Sequence, residues 1–432
     1  MRCLEPHTLH PTPQTLSYSP WLHRFAIAFV LATFVLIILG GTVTSKGAGL
    51  AVPDWPGTFN YNMFLFPPSM WVGGIFWEHT HRLMGSLVGM MAIVMCIWLW
   101  QTNSSTMVPQ SPRMAIRGRR PWLKYLGIAT LIMVIAQGIM GGLRVTQLSV
   151  WLAVFHGITA QVFVCMTVLI AAATSKWWVE RERHEENTNP KSQISNLKSN
   201  FSNPLSDIRH PKSEIQNPKS LLPVATFALI VLFIQLALGA TVRHHGAGLA
   251  IPDFPLSYGQ IVPPLSQSGI EKAMIQYADD PDSYATSVHG WYSPFHVAIH
   301  WSHRLWAIVV IIALDRLIKR VMRAAGSEMK LKFPAGAIGI MLLLQIALGA
   351  SIIWTGRHPE VATAHQTLGA ILLATAALLY FRIRLLALHP SRDRQEADAA
   401  SPFALSSATN SNRSLTVAAQ TELPLHTQGA GT

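Results

Sequence analysis

The sequence predicts an all-α integral membrane protein, with eight transmembrane helices forming two tandem four-helix bundles related by pseudo-twofold symmetry along the membrane normal. Three observations predict it. Half of the 432 residues are apolar and only 12% are charged, against about 25% in an ordinary soluble domain, which excludes a water-soluble enzyme of this size. Eight apolar stretches come close to the roughly 20 residues a helix needs to cross the hydrocarbon core. One long motif occurs twice at a fixed offset, the mark of a duplicated unit.

The stretches fall at 24–43, 78–100, 122–143, 151–174, 221–242, 297–318, 333–354 and 361–382. Backbone groups in lipid must pair within their own segment, so these are helices, and no β-barrel alternation is visible. Basic residues set the direction. Lys and Arg crowd the segments after spans two, four, six and eight, whereas the opposite loops hold only Lys46, Arg144, Arg243, Lys272 and Arg357. The positive-inside rule puts both termini in the cytoplasm of a multi-pass cell-membrane protein. The net charge of +12 is therefore a topology signal and not a nucleic-acid footprint. No secretory leader is read ahead of the first span. Cys3, Cys96 and Cys165 lie too far apart for a metal finger or a disulfide framework.

The organisation follows. A cytoplasmic tail (1–22) precedes a first four-helix half (23–178). A disordered cytoplasmic linker (179–220), rich in Asn, Pro, Ser and Lys, leads to a second half (221–385), and a disordered tail (386–432) ends the chain. Residues 39–56 read LGGTVTSKGAGLAVPDWP and residues 238–255 read LGATVRHHGAGLAIPDFP, identical at 12 of 18 positions with an offset of 199. His81-Arg82-Leu83 matches His303-Arg304-Leu305, Gln137 and Gly141 match Gln345 and Gly349, and His156 matches His365. Four spans per half, an even number, make the repeats parallel. The GAGLAxPDxP segment reads either as a loop closing over the bundle, capped by Asp54 or Asp253, or as a direct ligand contact.

Polar residues inside spans are costly, face the bundle interior and mark function. His79, His81, His156, His300, His303 and His365 all sit in the first turns of the even-numbered spans, in the outer half of the membrane. His81 with His156, and His303 with His365, make two facing pairs. Two neutral imidazoles from opposite helices are what a haem iron accepts axially, whereas zinc or copper wants three or four ligands; helix–helix hydrogen bonding is the bland alternative. His79 and His300 compete with His81 and His303. Arg82 and Arg304 follow the ligand candidates and suit haem carboxylates, as do Arg144 and Arg243 unless they only snorkel. Glu78 shares a helix face with His81, and its counterpart is His300, so only the first half carries a carboxylate there. It reads as a proton acceptor or charge stabiliser, or else as a helix cap.

Together these residues resemble the haem A synthase family over about 22–385: the doubled four-span layout, the GAGLAVPDWP loop, the Glu78-x-x-His81-Arg82 motif, and the histidines opening spans four, six and eight. The resemblance implies an oxidoreductase that converts the C8 methyl group of haem O into the formyl group of haem A for terminal cytochrome oxidases. The implied course is stepwise hydroxylation with loss of water from a geminal diol. The family pattern places substrate haem O with His81, His156 and Arg82, and a permanent haem b with His303, His365 and Arg304. Glu78 would assist the oxidation and haem b would relay electrons. Haem O synthase, oxidase assembly factors and membrane lipid are the implied partners. Unlike some members, the chain has no cysteine pair in 44–60, and its outer loop 256–296 is long and acidic, with Asp279, Asp280 and Asp282. A dihaem b electron carrier linked to quinol, and a transporter, are the rival readings.

Overall fold

The computed structural model describes residues 18–103, 120–188, 218–277, 292–326 and 328–388. Ten α-helices lie among them: α1 (Pro20–Ser45), α2 (Gly73–Asn103), α3 (Pro121–Thr146), α4 (Val150–Thr174), α5 (Lys176–Thr188), α6 (Leu222–His244), α7 (Gln267–Tyr277), α8 (Pro294–Ala324), α9 (Met329–Trp354) and α10 (Pro359–Leu388). The starts follow local rules. Ser19, Ser149 and Ser293 precede α1, α4 and α8, and proline opens α1, α3 and α8, where its missing N–H costs nothing. Gly47, Gly246 and Gly356, all at positive φ, follow the ends of α1, α6 and α9.

Seven of these helices (α1, α2, α3, α4, α6, α9 and α10) are long and apolar enough to cross a membrane. A helix of 26 residues such as α1 measures about 39 Å, more than the hydrocarbon core. The expected eighth span, 297–318, falls on α8, which has 31 residues but is not among the seven. His300, His303 and Arg304 interrupt its first turns and Asp315, Arg316, Lys319 and Arg320 its last, leaving only a short apolar run between.

The described chain divides into two compact units, Met1–Arg183 with Leu205–Ala387, and His184–Pro204 with Leu388–Thr432. Of the second unit only the ends of α5 and α10 are described. Within the first, α1 packs on α2 and α4, α2 on α3, and α3 on α4, closing a four-helix bundle around Phe29, Met95, Leu99 and Ile170. Next, α8 packs on α6 and α9 around a core that α10 shares through Leu372 and Leu379. Helix α4 packs on α6, and Ile37 of α1, Val164 of α4 and Ala370 of α10 form a small core of their own.

The linker expected from 179 begins as helix: α5 carries Glu182, which pairs with Arg120 and accepts from Trp178 Nε1 at 2.7 Å. Most of the rest of that linker, the tail from 389, and Asp279, Asp280 and Asp282 lie outside the described residues. The outer loop 256–296 contributes α7, whose Ile270 and Met274 pack on Ala247, Ile251 and Val297.

Candidate functional site

The duplicated loops have the same geometry. Asp54 accepts from the Phe59 and Asn60 amides at 2.8 and 2.9 Å, and Asp253 from the Tyr258 and Gly259 amides at 2.6 and 2.8 Å. Burial pushes the Asp54 carboxyl up, but the two amides and Arg82 outweigh it and hold it below the usual aspartate range. Each loop closes with an isolated bridge, Thr58 to Tyr61 and Ser257 to Gln260, and each contains a cis proline, Pro56 and Pro255.

Arg82 and Arg304, the two arginines expected to grip haem carboxylates, hold these loops. Arg82 donates to the carbonyls of Asp54, Gly57 and Val52 at 2.7, 2.9 and 2.8 Å, and to Glu78 Oε1 at 2.9 Å. Arg304 donates to the carbonyls of Asp253, Leu256 and Ile251 at 2.7, 2.9 and 3.1 Å. A guanidinium's fixed fork suits this task, since three converging carbonyls need several donors from one group. Arg144 reaches the Gly49 carbonyl at 3.0 Å, and Arg243 the carbonyl of Gly41 and the Ser45 hydroxyl.

Glu78 is 4% exposed. Its Oε2 accepts from the Val52 amide at 2.9 Å while Oε1 faces Arg82, and Arg144 acts on it electrostatically. In the second half His300 takes the same post: its Nδ1 lies 3.3 Å from the Ile251 amide and its Nε2 3.2 Å from Arg304 Nε. His79 turns the other way, toward Thr58 Oγ1 at 3.2 Å and the rings of Phe66 and Trp71. Both rivals of the expected ligands are therefore engaged by loop groups.

The other four histidines share one seat. A Cβ added to Gly40 would come within 2.9 Å of His81 Cε1; for Gly141 and His156 the distance is 3.3 Å, and for Gly239 with His303 and Gly349 with His365 it is 3.1 Å. Each imidazole thus brings its Cε1 edge against bare backbone of the preceding long helix, where even a methyl group would crowd it. His81 is near enough to His156, and His303 to His365, for each to act on the other electrostatically. Glutamines from the glycine-bearing helices back these rings. Gln235 Nε2 lies 3.2 Å from His303 Nδ1, and Gln345 Nε2 3.4 Å from His365 Nε2. Gln137, with its amide nitrogen turned to His156, lies 2.9 Å from Nδ1.

Sequence reading paired Gln137 with Gln345 but gave neither a role, and it missed Gln235 and His244. The Gln-x-x-x-Gly spacing at three of the four seats was the available signal. His244 stands at the contact of α6 with α4, its Nε2 3.5 Å from the Cβ position of Gly157, and Arg144, Arg243, His156 and His245 act on it electrostatically.

The fold and these seats define a multi-pass, all-α membrane protein that sets four imidazoles against glycines of its long helices. The model of the cytochrome oxidase assembly protein family (COX15-CtaA) matches residues 69–377, and the chain belongs to that family. It is similar to the haem A synthase of Halalkalibacterium halodurans, 25% identical over 82% of this chain and 95% of that protein. The haem A synthase of Caulobacter sp. is 23% identical over 84% and 95%. That of Shouchella clausii is 26% identical over 56% of this chain and 65% of its own length.

Proposed function

We propose that this chain is a haem A synthase of the cell membrane, oxidising the C8 methyl group of haem O to a formyl group. The carrying observation is the four imidazole seats, two in each half, each with its ring against a glycine of the preceding long helix. The residues present fit a porphyrin. Two histidines sit among apolar helices in each half, and the buried Nδ1 atoms of His81 and His365 have no hydrogen-bond partner. His81 and His156 would hold the substrate haem, and His303 and His365 a resident haem b, which supplies electron transfer when bound. The eight-span reading with α8 as the sixth span, the pseudo-twofold relation, cytoplasmic termini, and partners that supply haem O or receive haem A belong to the same proposal.

Glu78 would hold or move a proton beside the substrate, its charge steadied by Arg82 and Arg144. Arg82 and Arg304 act on the loops that cover each seat. One observation favours a second reading, the dihaem b electron carrier: Glu78 and His300 latch equivalent loop amides, so the carboxylate has a structural task without any catalysis.

The test is pigment extraction after expression with a haem O source. Haem O and haem A beside haem B support the synthase, haem B alone supports the carrier, and no haem removes both. Glu78→His separates latch from chemistry, because it installs the second half's own latch residue. The expected result is retained haem b with no haem A, and undiminished haem A output would take the catalytic role from Glu78.

A further inference from the structure

The two duplicated outer loops (46–72 and 245–266) present apolar side chains that nothing among the described residues covers. Phe64, Leu65 and Val72 of the first are 64%, 76% and 62% exposed, and Ile261, Val262 and Leu265 of the second are 80%, 52% and 47% exposed. Their backbone is held in place. Phe64 and Leu65 lie on a short helical turn, Met63–Leu65, capped by Asn62, and Trp71 Nε1 donates to the neighbouring Phe66 carbonyl at 3.3 Å. In the second loop Trp301 Nε1 of α8 donates to the Ile261 carbonyl at 3.3 Å. Charge is almost absent from both. Between Lys46 and Glu78 the only Asp, Glu, Lys or Arg is Asp54, and between Arg243 and Glu271 it is Asp253. Each of those carboxylates is occupied by two loop amides. A loop of this length in water would ordinarily carry several charges, at about 25% of its residues.

The loops also lie back along the helices. Thr58 Oγ1 is 3.2 Å from a ring nitrogen of His79 and the Phe66 ring is 5.0 Å from that imidazole; His79 is the seventh residue of α2. The Ile251 amide meets His300, the seventh residue of α8. Six residues of helix rise about 9 Å, so each loop sits beside the first two turns of the helix it packs on. Helix α2, with 31 residues, runs about 46 Å, close to the roughly 40–45 Å of hydrocarbon core and both headgroup layers together. Its first turns, and the loop against them, therefore fall at the boundary of headgroups and acyl chains. Irregular backbone facing lipid must have its polar groups met, and Arg82 and Arg304 meet three carbonyls each. We propose that both loops are partly immersed in the phospholipid leaflet on their side, with Leu65 and Ile261 inserted about 5–10 Å into the headgroup–acyl boundary. Lipid is the occupant, and not a protein partner, for two reasons. The patch occurs once in each copy of the duplicated loop, and by way of Val72 it leads into Phe76, exposed on the first turn of a helix long and apolar enough to cross a membrane.

The experiment places single nitroxide labels on the full-length chain, with Cys3, Cys96 and Cys165 replaced by alanine, in nanodiscs of phosphatidylethanolamine and phosphatidylglycerol. Leu65→Cys and Ile261→Cys carry the test labels, and Lys272→Cys, on α7, marks the aqueous side. Power-saturation EPR compares collisions with oxygen, which concentrates among acyl chains, and with a water-soluble nickel chelate. At positions 65 and 261 oxygen should exceed nickel several-fold, at a depth of about 5–10 Å, while position 272 shows the reverse. Nickel contact at either test position equal to that at 272 overturns the proposal for that loop. Low contact with both reagents overturns it as well, and spin–spin broadening would then assign the patch to a second copy of the chain. If a labelled variant fails to elute as a monodisperse species, Phe64→Cys or Val262→Cys takes its place, since those side chains are also exposed.

Discussion

At the scale of single residues, the seat glycines set a contest that magnitudes decide. Alanine is the better helix former by about 1 kcal/mol, so replacing a mid-helix glycine should ordinarily stabilise. At Gly40 the new Cβ would lie 2.9 Å from His81 Cε1, and the obstacle is a packed ring, not the end of a flexible chain. Overpacking of this kind costs about 1–3 kcal/mol and wins. Gly40→Ala should therefore lower the melting temperature and release haem from the first half only. Gly89→Ala, with nothing within 4 Å of its Cβ position, should raise stability by about 0.5–1 kcal/mol. Thermal melts with haem absorbance check both, and a stabilised Gly40→Ala that keeps its haem would mean the ring does not occupy that seat. The histidines themselves were legible in the sequence because the repeat register singles out His81, His156, His303 and His365 from the other fourteen of 18. The loop contacts of His79 and His300 were not. Their partners are the Thr58 hydroxyl and the Ile251 amide, and folding of the loop brings these in with no signature in spacing.

At the scale of elements, each outer loop is a small folded unit hung on one arginine. Arg82 converges on three carbonyls and on the nearly buried Glu78. Breaking one side of a buried ion pair costs about 3–5 kcal/mol because the remaining charge is left uncompensated. Arg82→Met should accordingly loosen the 46–72 loop even in protein stripped of haem, which limited proteolysis would read as new cleavage near Trp55. If the loop stays protected and only haem affinity falls, the arginine belongs to haem carboxylates after all. The sequence showed the loop through GAGLAVPDWP and its twin, yet it pointed Arg82 at a ligand. Backbone carbonyls are present at every residue, so no composition rule tells an arginine which of them it will meet. Helices α5 and α7 were likewise hidden. Each is short and polar, lies inside a segment whose composition reads as linker or loop, and is held by tertiary contacts such as Glu182 with Arg120 or Ile270 with Val297.

At the scale of the whole molecule, seven apolar helices were legible because a membrane span must be long, apolar and self-paired, whereas the eighth expected span falls on α8, which is not among the seven. How the two halves hold together was not legible, because the contact is made of small residues. The Cβ position of Gly157 on α4 lies 3.5 Å from His244 Nε2 and 3.7 Å from the Ala240 Cβ of α6. Gly41 on α1 lies 3.3 Å from Thr363 Cγ2 of α10, and Ser45 bonds the Thr363 hydroxyl at 2.9 Å. Arg243 adds a bond to Ser45 Oγ at 2.6 Å and one to the Ala362 carbonyl at 3.3 Å. Close backbone approach and interhelical hydrogen bonds are the forces available between helices in lipid, where apolar burial gives little. Expressed as two polypeptides divided between α5 and α6, the halves should therefore co-purify in equal amounts, and Gly157→Leu, which fills the α4–α6 contact, should abolish it. Recovery of either half alone, monodisperse and protected from proteolysis, would show instead that the contact is incidental and that each bundle is stable by itself.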